Sequence, residues 1–357
     1  MFTHHFRRAI IATTGVFGIL TMASCSASKT TVEATPKTLK LVAYDSFTPG
    51  DDAFASFTSQ TGIAVEIVKA GDAGTMMSKA NLTAGNPEGD VLWGVDNTLI
   101  SQAVDAKTFT PFVATATATM DPILRANIAQ HIVTPVDYGD VCVNYDVAYF
   151  SSHSLAVPQT FDDLTQPAYK GLLVVENPAT SSTGLVFLLA TIAAKTPSGF
   201  EGYWSSLKAN GVRVVDSWDQ AYYEQFSGST GKGSYPLVVS YGSSPPAEAI
   251  AIKPVPETSP TSVMASTCFR QVEYTGILRG TAYPKAAGTL IEFLTSKEFQ
   301  ERLPLSLYVY PARADAVLPP EFVKFTVTPP APLTLPPTDI AKNRAKWIEA
   351  FTQATLR

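Results

Sequence analysis

The chain has 357 residues, 45% hydrophobic, 10% aromatic and 16% charged, enough length and apolar content for two domains with cores, and not the composition of a disordered or collagen-like chain. Its 26 Lys and Arg against 31 Asp and Glu leave no basic footprint for nucleic acid and favour neutral or cationic small partners. Three cysteines and four histidines are too scattered for a zinc framework, so neither a metal site nor a cofactor is expected.

Arg7 and Arg8 precede an apolar stretch from Ala9 to Met22, followed by Ala23, Ser24 and Cys25; residues 1–24 read as a secretory signal. The Met22-Ala23-Ser24-Cys25 ending resembles a bacterial lipoprotein box, with Cys25 as the lipid-modified first residue and acyl chains as the membrane attachment. The alternative is an ordinary cleaved signal with an incidental cysteine. Neither the signal nor the apolar run Leu185–Ala194 reaches the roughly 20 residues of a stable bilayer span, so the mature chain is expected to have no transmembrane helix. Residues 25–38 are mostly small and polar and read as a flexible tether.

From there short β-rich runs alternate with helical patterns, as in an α/β fold with largely parallel strands. Leu39–Tyr44 is a predicted strand, Asp51–Gln60 a helix with Phe54 and Phe57 on one face, and Ala64–Lys69 and Asp90–Val95 further strands. Strands follow at Val136–Tyr145, Leu172–Glu176, Val212–Val215 and Leu237–Tyr241, with helices after Ser181 and over Trp218–Phe226. Thr267–Leu278 is again β-rich and Pro284–Glu301 helical. The expected organisation is a first lobe over 39–138, a second over 139–266 and a return to the first over 267–316, because two crossovers make a hinge. Residues 317–357 supply a strap, in which seven prolines between Val317 and Pro337 argue against regular structure, and a last helix capped by Thr338 and Asp339 with Trp347 and Phe351 in the core.

Catalytic signatures are sparse. No Gly-x-Ser-x-Gly elbow occurs, and Ser205 with Lys208 matches Ser-x-x-Lys without its companion motifs, which leaves a secreted Ser/Lys hydrolase as the competing class. His131 and His153 lack a triad context. Gly228–Gly233 fails the spacing of a phosphate-binding loop and reads as a turn. Aromatic and acidic residues instead recur where strands end: Tyr44-Asp45, Asp96, Trp218, Tyr241, and Tyr308 and Tyr310 in a loop. Strand ends face the ligand crevice of α/β folds, and rings with carboxylates suit a flat organic cation. Ser181, Ser182, Thr183 and Gly184 open an apolar helix, where N–H groups and hydroxyls can hold a phosphate or carboxylate, or simply cap the helix. Cys142 and Cys268, 126 positions apart, are either two buried thiols or a disulfide.

Taken in order, Tyr44-Asp45-Ser46-Phe47, Gly94 to Leu99, Pro135 to Gly139, Asn177 to Leu185, Ser217-Trp218 with Ala221-Tyr222, Val239-Ser240-Tyr241 with Ser244-Pro245, Gln271-Val272-Glu273, Tyr310-Pro311 and Arg344 to Trp347 resemble the thiamine-binding proteins of bacterial ABC transporters. Those belong to a larger group of two-lobed receptors for iron(III), polyamines and phosphonates. The resemblance implies a type 2 periplasmic-binding-protein fold, two α/β lobes joined by a two-strand hinge. It also implies a receptor, not an enzyme, that captures thiamine or a phosphate ester and delivers it to an ABC permease. Such a receptor is expected outside the cytoplasmic membrane, lipid-anchored and monomeric; the same fold for a polyamine, a phosphonate or iron(III) is the alternative. Tyr44, Trp218 and Tyr241 match ligand aromatics, with Tyr222, Tyr308 and Tyr310 in matched segments. Asp45 and Asp96 are expected to face the thiazolium, and Ser181, Ser182, Thr183 and Gly184 an ester phosphate. Where the family has a tyrosine after Ser-Pro-Ala, this chain has Glu248. Cys142 and Cys268 fall on the two segments that would cross the hinge, which favours a disulfide between them.

Overall fold

A computed structural model describes residues 35–125, 132–230 and 233–357. The signal, Cys25, most of the tether, His131 and Lys232 lie outside the described residues. Thr38, the last residue of the expected tether, pairs with Ala64.

Strand β1 (Thr38–Ala43) leads through α1 (Ala55–Thr61) to β2 (Ala64–Lys69), then through α2 (Ala73–Leu82) to β3 (Val91–Asp96). Helix α3 (Ile100–Asp105), the two-residue β4 (Phe109–Thr110) and α4 (Pro122–Arg125) complete this half. The long β5 (Thr134–Asp146) carries the chain to the other half, built from α5 (Val147–Ser152), β6 (Leu173–Glu176), α6 (Ser182–Lys195), α7 (Phe200–Ala209), β7 (Arg213–Val215), β8 (Leu237–Tyr241) and α8 (Pro245–Ala251). The 18-residue β9 (Thr261–Leu278) returns it to α9 (Pro284–Leu294), α10 (Lys297–Gln300), α11 (Leu303–Ser306) and β10 (Tyr310–Pro311). Helices α12 (Pro320–Phe325) and α13 (Pro337–Thr355) follow.

The strand order is β2-β1-β3-β9-β5-β8-β6-β7. Each flank is parallel, whereas β3–β9, β9–β5 and β5–β8 are antiparallel, so the sheet is less uniformly parallel than the alternation suggests. The two central strands run through both halves, and the positions 138/139 and 266/267 fall inside them. Their ladder breaks register between Val141 and Val143, a bulge that bends paired strands. Cys142 and Cys268 are bonded to each other beside it.

Four local expectations are corrected. Residues 51–54 form turns, and α1 starts only at Ala55. The stretch 284–301 breaks at Thr295, after which Ser296 caps a new helix by accepting the Phe299 N–H. The strap contains α12 because Pro320 stands in its first turn, where a missing N–H costs nothing; further on, Leu333 exchanges backbone hydrogen bonds with Cys268 and Arg270 of β9. The last helix starts at Pro337, with Pro336 rather than Thr338 at its cap. Trp347 and Phe351 are buried, and Phe351 meets Trp204 of α7 edge-on at 4.6 Å.

Candidate functional site

Helix α2 follows a strand at one end of the sheet, while Thr180 and Trp218 follow strands at the other, yet they touch: Thr75 donates its N–H to the Thr180 carbonyl at 3.1 Å, and Asp72 Oδ2 accepts the Trp218 N–H at 2.9 Å. The sheet therefore curls, and the crevice between its two ends has a cavity volume of about 150 Å³. Its wall comes from strand ends and helix starts, with Tyr44 after β1, Asp72 before α2, Ser182 and Thr183 opening α6, Trp218 after β7 and Tyr241 ending β8.

The aromatic wall is held from behind. The Tyr44 ring lies over Gly94, where a Cβ would come within 2.5 Å of it, and its hydroxyl donates to Glu273 Oε2 at 3.1 Å. Trp218 stacks on Tyr222 with centroids 4.9 Å apart and planes 12° from parallel, and its indole N–H donates to Ser240 Oγ at 3.0 Å. Tyr223 stands edge-on to both rings. Tyr308 has φ +55°, a left-handed conformation unusual for a bulky residue and found where a site constrains the chain.

The acidic side of the crevice is Glu273 and Asp72. Glu273 is buried against Asp137, and burial together with the Asp137 and Asp96 charges pushes it well above the usual carboxylate range. Burial pushes Asp137 up to about 8, so at neutral pH the pair retains a proton. Burial also raises Asp72, opposed by the N–H groups of Trp218 and Ala73. Beside the Tyr222 hydroxyl, burial pushes Glu248 up to about 7.

Of the residues singled out from sequence, Tyr44, Trp218, Tyr222, Tyr241, Tyr308, Ser182 and Thr183 line the crevice. Five others do not. Asp45 is exposed, and its Oδ1 accepts the Gly71 N–H at 2.9 Å, bracing the loop after β1. Asp96 is fully buried; Oδ1 accepts Thr98 N–H, Thr98 Oγ1–H and Leu99 N–H, and Oδ2 accepts Gln271 Nε2–H at 2.6 Å, which leaves no carboxylate edge facing a ligand. Tyr310 stacks on Tyr138 at 5.1 Å, and its hydroxyl lies 3.0 Å from Thr328 Oγ1 in the strap. Ser181 is the buried residue before α6, with its hydroxyl 2.9 Å from Thr183 Oγ1. Gly184 packs against the Glu176 carbonyl, where there is no space for a side chain.

Sequence reasoning missed Asp72, Tyr223, Ser244 and Glu273. Glu273 lay in a recognised motif without an assigned role, and Asp72 is the N-cap of a helix whose weak amphipathic pattern hid it. The hydrolase candidates are apart from the crevice: Ser205 is exposed on α7 and donates to the Glu201 carbonyl of its own helix, with Lys208 also exposed. His153 stacks on Tyr149 at 4.1 Å. Among the described residues, no three His, Cys, Asp or Glu side chains are grouped to hold a metal ion.

Comparison with known proteins places this geometry. A thiamine-binding periplasmic protein of Brucella suis biovar 1 (strain 1330) is 26% identical over 357 residues, 97% of this chain and 98% of the relative. Another of that name, from Salmonella typhimurium (strain LT2), is 26% identical over 323 residues, 89% and 94% of the two chains. Among solved structures, a periplasmic thiamin binding protein superposes with TM-score 0.79 at 24% identity over 90% of this chain and 96% of that one. Iron-bound HitA from Pseudomonas aeruginosa gives 0.67 at 19% identity over 88% and 99%; both have the two-lobed periplasmic-binding-protein fold. The model of the bacterial extracellular solute-binding protein family matches residues 52–327, and the chain belongs to that family of extracytoplasmic receptors.

Proposed function

We propose that the protein captures thiamine between its two halves and hands it unaltered to an ABC permease. The observation that carries this reading is the wall of the crevice. Tyr44, Trp218, Tyr222, Tyr223, Tyr241 and Tyr308 supply π-surface, Asp72 and Glu273 supply acidic oxygens, and no Lys, Arg or His is among the described lining residues. An aromatic cation gains about 0.5–2 kcal/mol from each ring face it meets and more from a partly desolvated carboxylate. The relatives' names point to the same ligand.

A phosphate ester would bring its anion to Ser182 and Thr183 at the start of α6. Asp72 stands on that wall, and the buried Glu176 lies behind it. With no Lys, Arg or His among the described lining residues to offset Asp72, this wall favours thiamine over its diphosphate. We further propose lipidation of Cys25, a monomeric receptor, and the lobe limits 39–138, 139–266 and 267–316.

Calorimetry with purified protein tests the ligand. Thiamine should bind, its diphosphate more weakly, and Trp218→Ala should reduce thiamine affinity by about 1–3 kcal/mol through the lost ring contact. Absence of thiamine binding, with a polyamine, a phosphonate or iron(III) bound instead, would replace the ligand while leaving the fold untouched.

A further inference from the structure

Asp72 and Gly74 do something the ligand wall alone does not require. Asp72 caps α2 through Oδ1, which accepts the Ala73 N–H at 2.6 Å. Its Oδ2 accepts the main-chain N–H of Trp218, from the far end of the sheet. The Ser181 hydroxyl and Ser182 N–H face the same carboxylate. Two positions on, Gly74 has no room for a side chain: a Cβ there would lie 2.5 Å from the Thr180 carbonyl oxygen, whose other contact is the Thr75 N–H at 3.1 Å. One helical turn from the first half thus meets main chain from two segments of the second, with nothing between them.

We infer that the turn Asp72–Thr75 is the latch of the closed crevice, and that Asp72 is a positioning residue that sets Trp218 for ring stacking once the halves meet. The contacts are made only when the two ends of the sheet approach, so they stabilise the closed arrangement selectively and bias the equilibrium toward it. They consist of main chain and the short side chains of Asp72 and Ser181, which fixes the distance of approach more tightly than long surface ion pairs would. The role of Trp218 as a ligand contact rests on the thiamine reading; the latch itself does not.

Gly74→Ala separates latch from fold. Alanine is a better helix former than glycine, so α2 should not suffer, whereas the added methyl holds Thr180 away. Small-angle scattering of the ligand-free variant should show a larger radius of gyration than wild type. Stopped-flow tryptophan fluorescence should show thiamine released at least tenfold faster with association changed by less than threefold, and the unfolding midpoint should not fall. Asp72→Ala should also enlarge the ligand-free protein and release thiamine faster, with a lower unfolding midpoint because the α2 cap is lost, and Asp72→Asn, which keeps an acceptor for the Trp218 N–H, should recover part of the release rate. Wild-type scattering and a wild-type release rate in Gly74→Ala would overturn the latch whatever Asp72→Ala does. If wild-type protein bound no thiamine, the ligand assignment would fail while the scattering comparison still decided the latch.

Discussion

Glu273 touches the Tyr44 hydroxyl on one side and shares the interior with Asp137 on the other, so a cation entering the crevice meets a carboxyl pair that still carries a proton. Positive charge favours its loss, and binding should release protons. Thiamine affinity is therefore expected to rise between about pH 6 and 8, and Glu273→Gln should bind about tenfold more weakly at pH 8 with a flatter profile, a loss of about 1.4 kcal/mol. Calorimetry in buffers of different ionisation enthalpy would detect the released proton; a pH-independent affinity in wild type would remove Glu273 from this role. The ligand-free protein has the opposite slope. Asp137 is raised to about 8 in the folded state, above the ordinary carboxylate value near 4, so its stabilising contribution is full below that value and lost as pH rises through 8. Thermal midpoints without ligand should accordingly fall across that window, and midpoints with saturating ligand should fall less.

At the scale of elements, β3 shows how backbone prepares a side chain. Gly94 has φ +100° at the point where the β3–β9 ladder breaks register, and the ring of Tyr44 lies where a Cβ would be. Gly94→Ala therefore combines backbone strain with overpacking and should destabilise by about 1–3 kcal/mol. Because the ring must move, ligand affinity should fall by tenfold or more, and urea melts with calorimetry on the surviving native protein separate the two effects. The same element marks what the sequence makes legible. A run such as Asp90–Val95 announces a strand, and the aromatic residues at strand ends point toward a crevice. The pattern does not tell which acidic group faces inward. Asp96 and Glu273 sit opposite each other in the β3–β9 register, yet Asp96 accepts four hydrogen bonds from Thr98, Leu99 and Gln271 while Glu273 lines the crevice. That difference arises from the turn after β3, a tertiary arrangement with no periodic signature. The break in helix 284–301 and the short α12 were hidden for a related reason, since capping by Ser296 and the tolerance of proline in a first turn override the local pattern.

Across the whole molecule, β5 and β9 are the two long strands that connect the halves, and the strap and α13 lie over both. Helix α13 packs on α7 and also reaches α3, while Leu333 bonds to β9 beside the disulfide. Neither sulfur lines the crevice, and both cysteines are buried next to Val263 and Val327. The bond joins residues 126 apart in sequence, and closing so long a loop in the unfolded chain is worth about 4–5 kcal/mol in the chain-entropy description. The stability of the molecule should therefore depend on Cys142 and Cys268 far more than its affinity does. The double variant Cys142→Ala with Cys268→Ala should lower the free energy of unfolding by about 2–5 kcal/mol, seen as a lower urea midpoint, with thiamine dissociation constants within about threefold of wild type. A large loss of affinity at unchanged stability would mean that the bond acts on hinge position rather than on the unfolded chain, and would move the disulfide from scaffold to binding apparatus.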